Sequence, residues 1–84
     1  MTERLVWDGV VTVMRETFDD DRLEVSRETT ADDVDGWDSL SNVELIVALE
    51  SRFGVRFHTG EIARMRNVGE LVDAIAKRLP DDGR

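Results

Sequence analysis

Apolar residues recur at helical spacing in several stretches of the chain. The first stretch has an apolar residue at every third or fourth position, which predicts an amphipathic helix. Thr2 is placed to cap it, and the acidic run at 19–21 ends it. The stripe of this helix consists of Trp7, Val11, Met14 and Phe18, with Val10 beside them.

A second helix is predicted to begin at Ser39, directly after Asp38, whose carboxylate suits an N-cap. Gly54 ends it, because glycine readily takes the left-handed conformation that terminates helices. Val43 and Val47 extend the apolar arc to one side of the buried stripe. That stripe consists of Leu45, Ile46, Leu49 and Phe53.

Two further helices complete an all-α pattern. A short third helix is predicted around 61–65, with Ile62 and Met65 as its apolar positions. A fourth begins after Asn67, which has capping-box spacing to Glu70, and ends at Pro80. Its stripe is Val68, Leu71, Val72, Ile75 and Leu79. No strand pattern competes, so the sequence predicts a four-helix bundle with a long connection between the first two helices and a short third helix.

Composition limits the kinds of chemistry available to the chain. Its 84 residues correspond to one small domain with a modest core. The absence of cysteine excludes disulfides, a thiolate nucleophile and a cysteine zinc site, so any thiol must come from a cofactor. No apolar run could span a bilayer and no signal core is present, so we expect a cytoplasmic protein that does not bind membranes.

The net charge of −8 is concentrated in the connection that leads to Ser39. Residues 16–38 contain ten acidic side chains against two arginines, whereas the charges of residues 39–84 cancel. Such a surface argues against nucleic acid, whose phosphates need a basic face, and favours basic protein partners.

Ser39 is the candidate site for covalent chemistry, flanked by Asp38 and Leu40. A helix N-terminus carries unpaired N–H groups and the positive end of the helix dipole, and both favour a phosphate. The sequence therefore offers a place to attach a phosphodiester-linked group.

Two rival interpretations of this region lack essential residues. A serine hydrolase needs a histidine base, but the only histidine is His58 and no Gly-x-Ser-x-Gly elbow is present. Asp33, Asp35 and Gly36 match the third, fifth and sixth positions of a calcium loop. The first and twelfth positions would be Ala31 and Asn42, which supply no carboxylate, so no metal site is predicted.

The chain resembles the acyl carrier protein family over nearly its whole length. The most specific part is Trp37-Asp38-Ser39-Leu40, which opens the second helix. A second matching block is 68–72, Val-Gly-Glu-Leu-Val. The resemblance continues through the second helix at Val43, Glu44, Leu45, Leu49, Glu50, Phe53 and Gly54.

The resemblance implies that Ser39 carries phosphopantetheine, transferred from coenzyme A, and that residues 1–80 form the carrier domain before a disordered tail at 81–84. Such a monomeric protein is not an enzyme, and it holds acyl groups as thioesters. Its implied partners are a phosphopantetheinyl transferase and acyl-loading or acyl-processing enzymes such as ligases, acyltransferases and ketosynthases. The resemblance places partner contacts or the edge of an acyl pocket at Val43, Glu44, Val47, Glu50 and Ile62.

Three arginines distinguish this chain from the densely acidic carriers of fatty-acid synthesis: Arg52, Arg64 and Arg66. Together with Trp37, they favour polyketide or other specialised acyl biosynthesis. One alternative is a peptidyl or aminoacyl carrier, although Asp38 departs from the Gly-Gly-x-Ser-Leu of that class. The other is a non-covalent helical interaction or ion-binding module.

Overall fold

The computed structural model describes residues 3–79, which form an all-α bundle and contain no strand. A 3₁₀ turn at Ala31–Asp33 interrupts the long connection between the first two helices. No helix in this part of the chain is long and apolar enough to cross a membrane. The four helices are α1 (Glu3–Thr17), α2 (Ser39–Phe53), α3 (Thr59–Arg64) and α4 (Val68–Arg78).

The predicted fold class is therefore confirmed, including the long first connection and the short third helix. α3 begins two residues earlier than predicted, after His58 rather than at Glu61. Thr2, Pro80 and the tail at 81–84 lie outside the described residues, so the domain boundary stays a prediction.

The core lies where α1 packs against α2 and α4. Each buried valine, leucine or isoleucine stabilises the fold by about 1.5–3 kcal/mol relative to an exposed position. The core side chains are Val6, Val10, Val13 and Met14 from α1, Leu45, Ile46 and Leu49 from α2, and Val68, Leu71, Val72 and Ile75 from α4.

The predicted face of α1 was rotated from the true one. Val6 and Val13 are buried, whereas Trp7 is only partly buried and Val11 is half-buried outside the core cluster. Two apolar series overlap in α1: one contains Val6, Val10 and Val13, and the other contains Trp7, Val11 and Met14. Both have helical spacing, so periodicity alone does not decide which one is buried.

Close approach of α1 and α2 at Gly9 selects the observed face. An ideal Cβ at Gly9 would lie 2.5 Å from Cζ of Phe53. The Phe53 ring occupies the space that a side chain at Gly9 would need. Phe53 was predicted to complete the buried stripe of α2, but it remains partly exposed.

Turn chemistry ends α2 as predicted. Gly54 has the left-handed conformation (φ 67°), and its N–H donates to the carbonyl of Glu50. The Glu50 carboxylate then accepts the N–H of Phe57 at 2.9 Å. Glu50 is half-buried, and its hydrogen bond helps to fix the segment between α2 and α3.

The capping box predicted for α4 is only half formed. Asn67 Oδ1 accepts the N–H of Glu70 at 2.9 Å, as expected of an N-cap. The Glu70 carboxylate, however, accepts the N–H of Arg66 at 2.8 Å, one residue before the position that a full box would use.

The start of α4 also holds the long connection in place. The N–H of Val68 donates to the carbonyl of Thr29, and the N–H of Gly69 donates to the carbonyl of Arg27, both at 2.9 Å. These N–H groups have no partner within their own helix. The Arg27 guanidinium also pairs with Asp73 of α4 at 2.8 Å.

Arg78, in the last turn of α4, fastens the segment that contains α3. Its guanidinium donates to the carbonyl of Arg56 at 2.8 Å and to the carbonyl of Ala74 at 2.9 Å. It also pairs with Glu61 of α3 and lies 5.0 Å from the ring centroid of Phe57. One partly buried side chain thus joins α3 and the preceding link to α4.

Gly69→Ala is expected to lower the free energy of unfolding by about 1–3 kcal/mol, the usual cost of overpacking. A Cβ at this position would lie 3.0 Å from the carbonyl oxygen of Arg27, a backbone atom that cannot rotate away. Urea unfolding of both proteins would measure the change.

Gly60→Ala is the matched control, because nothing lies within 4 Å of its Cβ position in α3. This variant should keep or gain stability, by up to about 1 kcal/mol of helix propensity. Equal stability of the Gly69 variant and the natural protein would show that the connection is not held by this contact.

Candidate functional site

Ser39 is the first residue of α2, a helix of 15 residues, and its side chain is exposed. The Ser39 hydroxyl makes no hydrogen bond to any residue within 3–79. The positive end of a helix favours an anion beside it. An accessible hydroxyl at this position fits the phosphodiester linkage of a phosphopantetheine group.

The turn before Ser39 is fixed by reciprocal hydrogen bonds between Asp38 and Ser41. Asp38 Oδ1 accepts the N–H of Ser41 at 3.0 Å, and Ser41 Oγ accepts the N–H of Asp38 at 2.8 Å. The Ser41 hydroxyl also donates to the carbonyl of Gly36 at 2.6 Å. Asp38 is thereby confirmed as the N-cap of α2.

The N–H of Ser41 holds the pKa of Asp38 below its ordinary value, and the Ser41 side chain lowers this pKa further. Hydrogen bonds to the charged form of a carboxyl group favour ionisation. The ionised Asp38 in turn complements the positive end of α2.

Trp37 joins the connection to both neighbouring helices. Its indole N–H donates to Asn42 Oδ1 at 2.9 Å, across the start of α2. Its ring centroid lies 5.8 Å from that of Phe18, which follows α1, with the ring planes tilted by 47°. Trp37 therefore fixes where the connection enters α2.

The sequence prediction missed the roles of Ser41 and Asn42. A sequence signal existed for Ser41, because Asp38 and Ser41 have capping-box spacing with serine in the place of the usual glutamate. No comparable signal existed for the Trp37–Asn42 hydrogen bond, which depends on the path of the turn.

A mostly apolar surface accompanies Ser39 along α2. Leu40, Val43 and Val47 are exposed by 72%, 59% and 58%, and the carboxylate of Glu44 is exposed beside them. We call these four residues the outer face of α2. Exposed apolar groupings of this kind commonly mark interaction sites.

The other two predicted partner residues are less exposed than the residues of this face. Glu50 is half-buried and bonded to the N–H of Phe57. Ile62 is partly buried and lines a cavity beside α2. Glu50 nevertheless lines a surface hollow together with Val47, so the two residues are neighbours on α2. The partner role of all five residues stays a prediction.

The cavity measures about 260 Å³ and lies between α2, α3, the start of α4 and the 3₁₀ turn. Two of its residues, Asn42 and Ile46, follow Ser39 by three and seven positions and so share its side of α2. The lining consists of Ala31, Trp37, Asn42, Ile46, Ile62, Met65, Arg66, Asn67 and Leu71.

Two other functions considered from the sequence were metal binding and serine hydrolysis. Within 3–79 no group of three or more histidine, cysteine, aspartate or glutamate side chains is arranged to hold a metal ion. His58 lies at the N-cap of α3, and no hydrogen bond joins its side chain to Ser39. The nucleophile–base pair of a serine hydrolase is not formed there.

Residues 8–75 match the family described as "Phosphopantetheine attachment site". An acyl carrier protein of Thermotoga maritima is 31% identical over 74 residues, which cover 88% of this chain and 91% of that protein. The chain belongs to the acyl carrier protein family. Its members carry phosphopantetheine covalently and are carriers that interact with acyl-processing enzymes.

Two other comparisons agree with this assignment. An acyl carrier protein of Acidothermus cellulolyticus is 51% identical over 45 residues, which cover 54% of this chain and 52% of that protein. A solution structure of a holo acyl carrier protein from Geobacter metallireducens has a TM-score of 0.82 and 42% identity. It covers 87% of this carrier, and 84% of that chain is matched.

Ser41→Ala should raise the pKa of Asp38 toward its ordinary value, because the hydrogen bond from the Ser41 hydroxyl to Asp38 Oδ1 (3.1 Å) is lost while the N–H of Ser41 remains. Titration of the Asp38 carboxyl carbon by NMR would measure this. Ser51→Ala, at the exposed far end of α2, is the matched control and should leave the titration unchanged.

The sign of the accompanying stability change follows from the lowered pKa. The contribution of Asp38 is complete above the unfolded-state pKa and is lost as the pH falls through the lower folded-state value. Acid should therefore unfold Ser41→Ala at a higher pH than the natural protein. Identical titrations of Asp38 in the two proteins would contradict this account of the cap.

Proposed function

We propose that Ser39 is the phosphopantetheine attachment site, and that the chain carries acyl intermediates in polyketide or other specialised acyl biosynthesis. The observation that carries this proposal is the exposed hydroxyl of Ser39 at the start of α2, which makes no hydrogen bond within residues 3–79. The thiol of the attached arm holds the acyl group as a thioester, and partner enzymes perform the chemistry.

Attachment breaks the phosphoanhydride bond of coenzyme A and forms a phosphodiester. Ser39 Oγ forms a bond to the phosphorus next to the pantetheine in coenzyme A, and the P–O bond within the diphosphate breaks. The adenosine 3′,5′-bisphosphate leaves with the electron pair of that bond. The hydroxyl proton of Ser39 passes to a base of the transferase.

Ser41 is the nearest competing hydroxyl, and its contacts argue against it. It lies less exposed than Ser39 and bonds the carbonyl of Gly36 and the N–H of Asp38. Modification of Ser41 would break both bonds and open the turn that orders the start of α2. Ser39 can be modified without such a loss.

The outer face of α2 is the proposed docking surface for these enzymes. An enzyme that acts on the arm must come close to Ser39, and Leu40, Val43 and Val47 are the exposed apolar groups on that helix. Glu44 supplies an exposed carboxylate beside them for a basic partner.

The charges around this face support binding to fewer kinds of enzyme than a densely acidic carrier protein binds. Glu50 is engaged with the N–H of Phe57, so Glu44 is the main carboxylate that α2 offers to partners. Arg52, Arg64 and Arg66 are exposed and would repel a strongly basic patch. Like charges placed against each other exclude wrong partners.

The attachment site is tested by intact mass after incubation with coenzyme A and a phosphopantetheinyl transferase. The natural protein should gain one phosphopantetheinyl group and Ser39→Ala none, because the acceptor oxygen is gone. Ser51→Ala keeps Ser39 and should be fully modified, and circular dichroism should show equal helix content in all three. Modification of Ser39→Ala would contradict the assignment.

Glu44→Lys should slow transferase modification or acyl transfer about three- to tenfold at low salt, and less at high salt, because a rim charge acts mainly on association. Arg52→Glu should improve use by a fatty-acid-type partner. Transfer rates at two salt concentrations would measure both effects.

Glu16→Lys makes the same charge change on the exposed side of α1 and serves as the control for Glu44→Lys. This control should keep the natural rate to within about twofold. If the Glu44 and Arg52 variants both react at the rate of the natural protein at low salt, partner enzymes recognise a surface other than α2.

A further inference from the structure

Two asparagines of the cavity are held so that only their amino groups remain available. Asn42 Oδ1 accepts the indole N–H of Trp37, and Asn67 Oδ1 accepts the N–H of Glu70, each at 2.9 Å. The NH₂ groups of Asn42 and Asn67 make no hydrogen bond within residues 3–79. Each asparagine therefore contributes an NH₂ group that can still donate a hydrogen bond to a ligand in the cavity.

Arg66 adds a third donor group to the same cavity. Its main-chain N–H is bonded to Glu70, but its exposed guanidinium forms no ion pair among the residues that the structure describes. A guanidinium donates only and suits carboxylate or carbonyl oxygens. The polar side-chain groups that remain available in this lining are therefore donors.

The remaining walls are apolar and the space is small. Ile46, Ile62, Met65 and Leu71 line the cavity, whose volume of about 260 Å³ lies below that of most ligand pockets. A short acyl group fits this description. An unsubstituted alkyl chain would cover the donors without bonding them, and unpaired donors oppose burial.

We propose that this cavity selects short acyl groups that carry a keto or carboxylate oxygen beyond the thioester, against unsubstituted alkyl chains of equal length. Asn42 and Asn67 donate to that oxygen, with Arg66 beside them. The inference rests on the proposed function, because the arm at Ser39 delivers the cargo. Asn42 and Ile46 lie about 4.5 Å and 10.5 Å from Ser39 along α2.

The test compares two cargoes of equal chain length, 3-oxobutyryl and butyryl, each loaded from its coenzyme A thioester by the transferase. NMR would follow the side-chain NH₂ signals of Asn42 and Asn67 and the methyl signals of Ile62 and Met65. The 3-oxobutyryl protein should shift both NH₂ signals. Its cavity occupancy, read from the methyl shifts, should be about three- to tenfold higher.

Asn42→Asp and Asn67→Asp separate donor chemistry from folding. Aspartate keeps the oxygen that accepts from Trp37 or Glu70 and removes the NH₂ group. Each variant should lose the preference for 3-oxobutyryl while keeping its helix content. Thr12→Asp adds the same charge on the exposed side of α1 and should keep the preference.

Intact mass distinguishes the two ways of failing. If the cargo does not load on Ser39, the proposed function is wrong and the inference falls with it. If both cargoes load but give equal shifts, or if the aspartate variants keep the preference, only the selection of oxygenated cargo is overturned.

Discussion

Two main-chain hydrogen bonds, from Val68 and Gly69 to the carbonyls of Thr29 and Arg27, determine where the long connection runs. The connection has few apolar anchors and many like charges, so it gains little from burial on its own. Helix α4 supplies N–H groups that its own turns cannot satisfy. This contact sets the path on which the 3₁₀ turn, Trp37 and the cap of α2 depend.

At the start of α2, a hydrogen-bonded turn surrounds the exposed hydroxyl of Ser39. Hydrogen bonds within this turn engage Asp38 Oδ1, the Ser41 hydroxyl, the Trp37 indole N–H and the amide oxygen of Asn42. The Ser39 hydroxyl makes no hydrogen bond with any residue that the structure describes. Groups that are already hydrogen-bonded to each other do not compete for a phosphate at the start of α2, and they hold the backbone around Ser39 in one conformation.

Periodicity and capping chemistry were enough to predict α2 and α4, because Asp38, Gly54 and Asn67 act within their own helices. The face of α1 was mistaken because Val6, Val10 and Val13 alternate with other apolar residues, and Gly9 decides between the faces only when Phe53 is beside it. The proposal of Ser39 as the attachment site follows from a local motif. The cavity was not predictable in the same way, since its lining comes from segments between Ala31 and Leu71.

α3 has only six residues, too few for a stable helix without tertiary contacts. Ile62 and Met65 pack it against the core, and Arg78 joins it to the last turn of α4. The final turn of a helix is the part that frays most readily. The volume of the cavity beside α2 is thereby linked to whether the last turn of α4 stays helical, so a substitution in that turn can change the cavity without touching its lining.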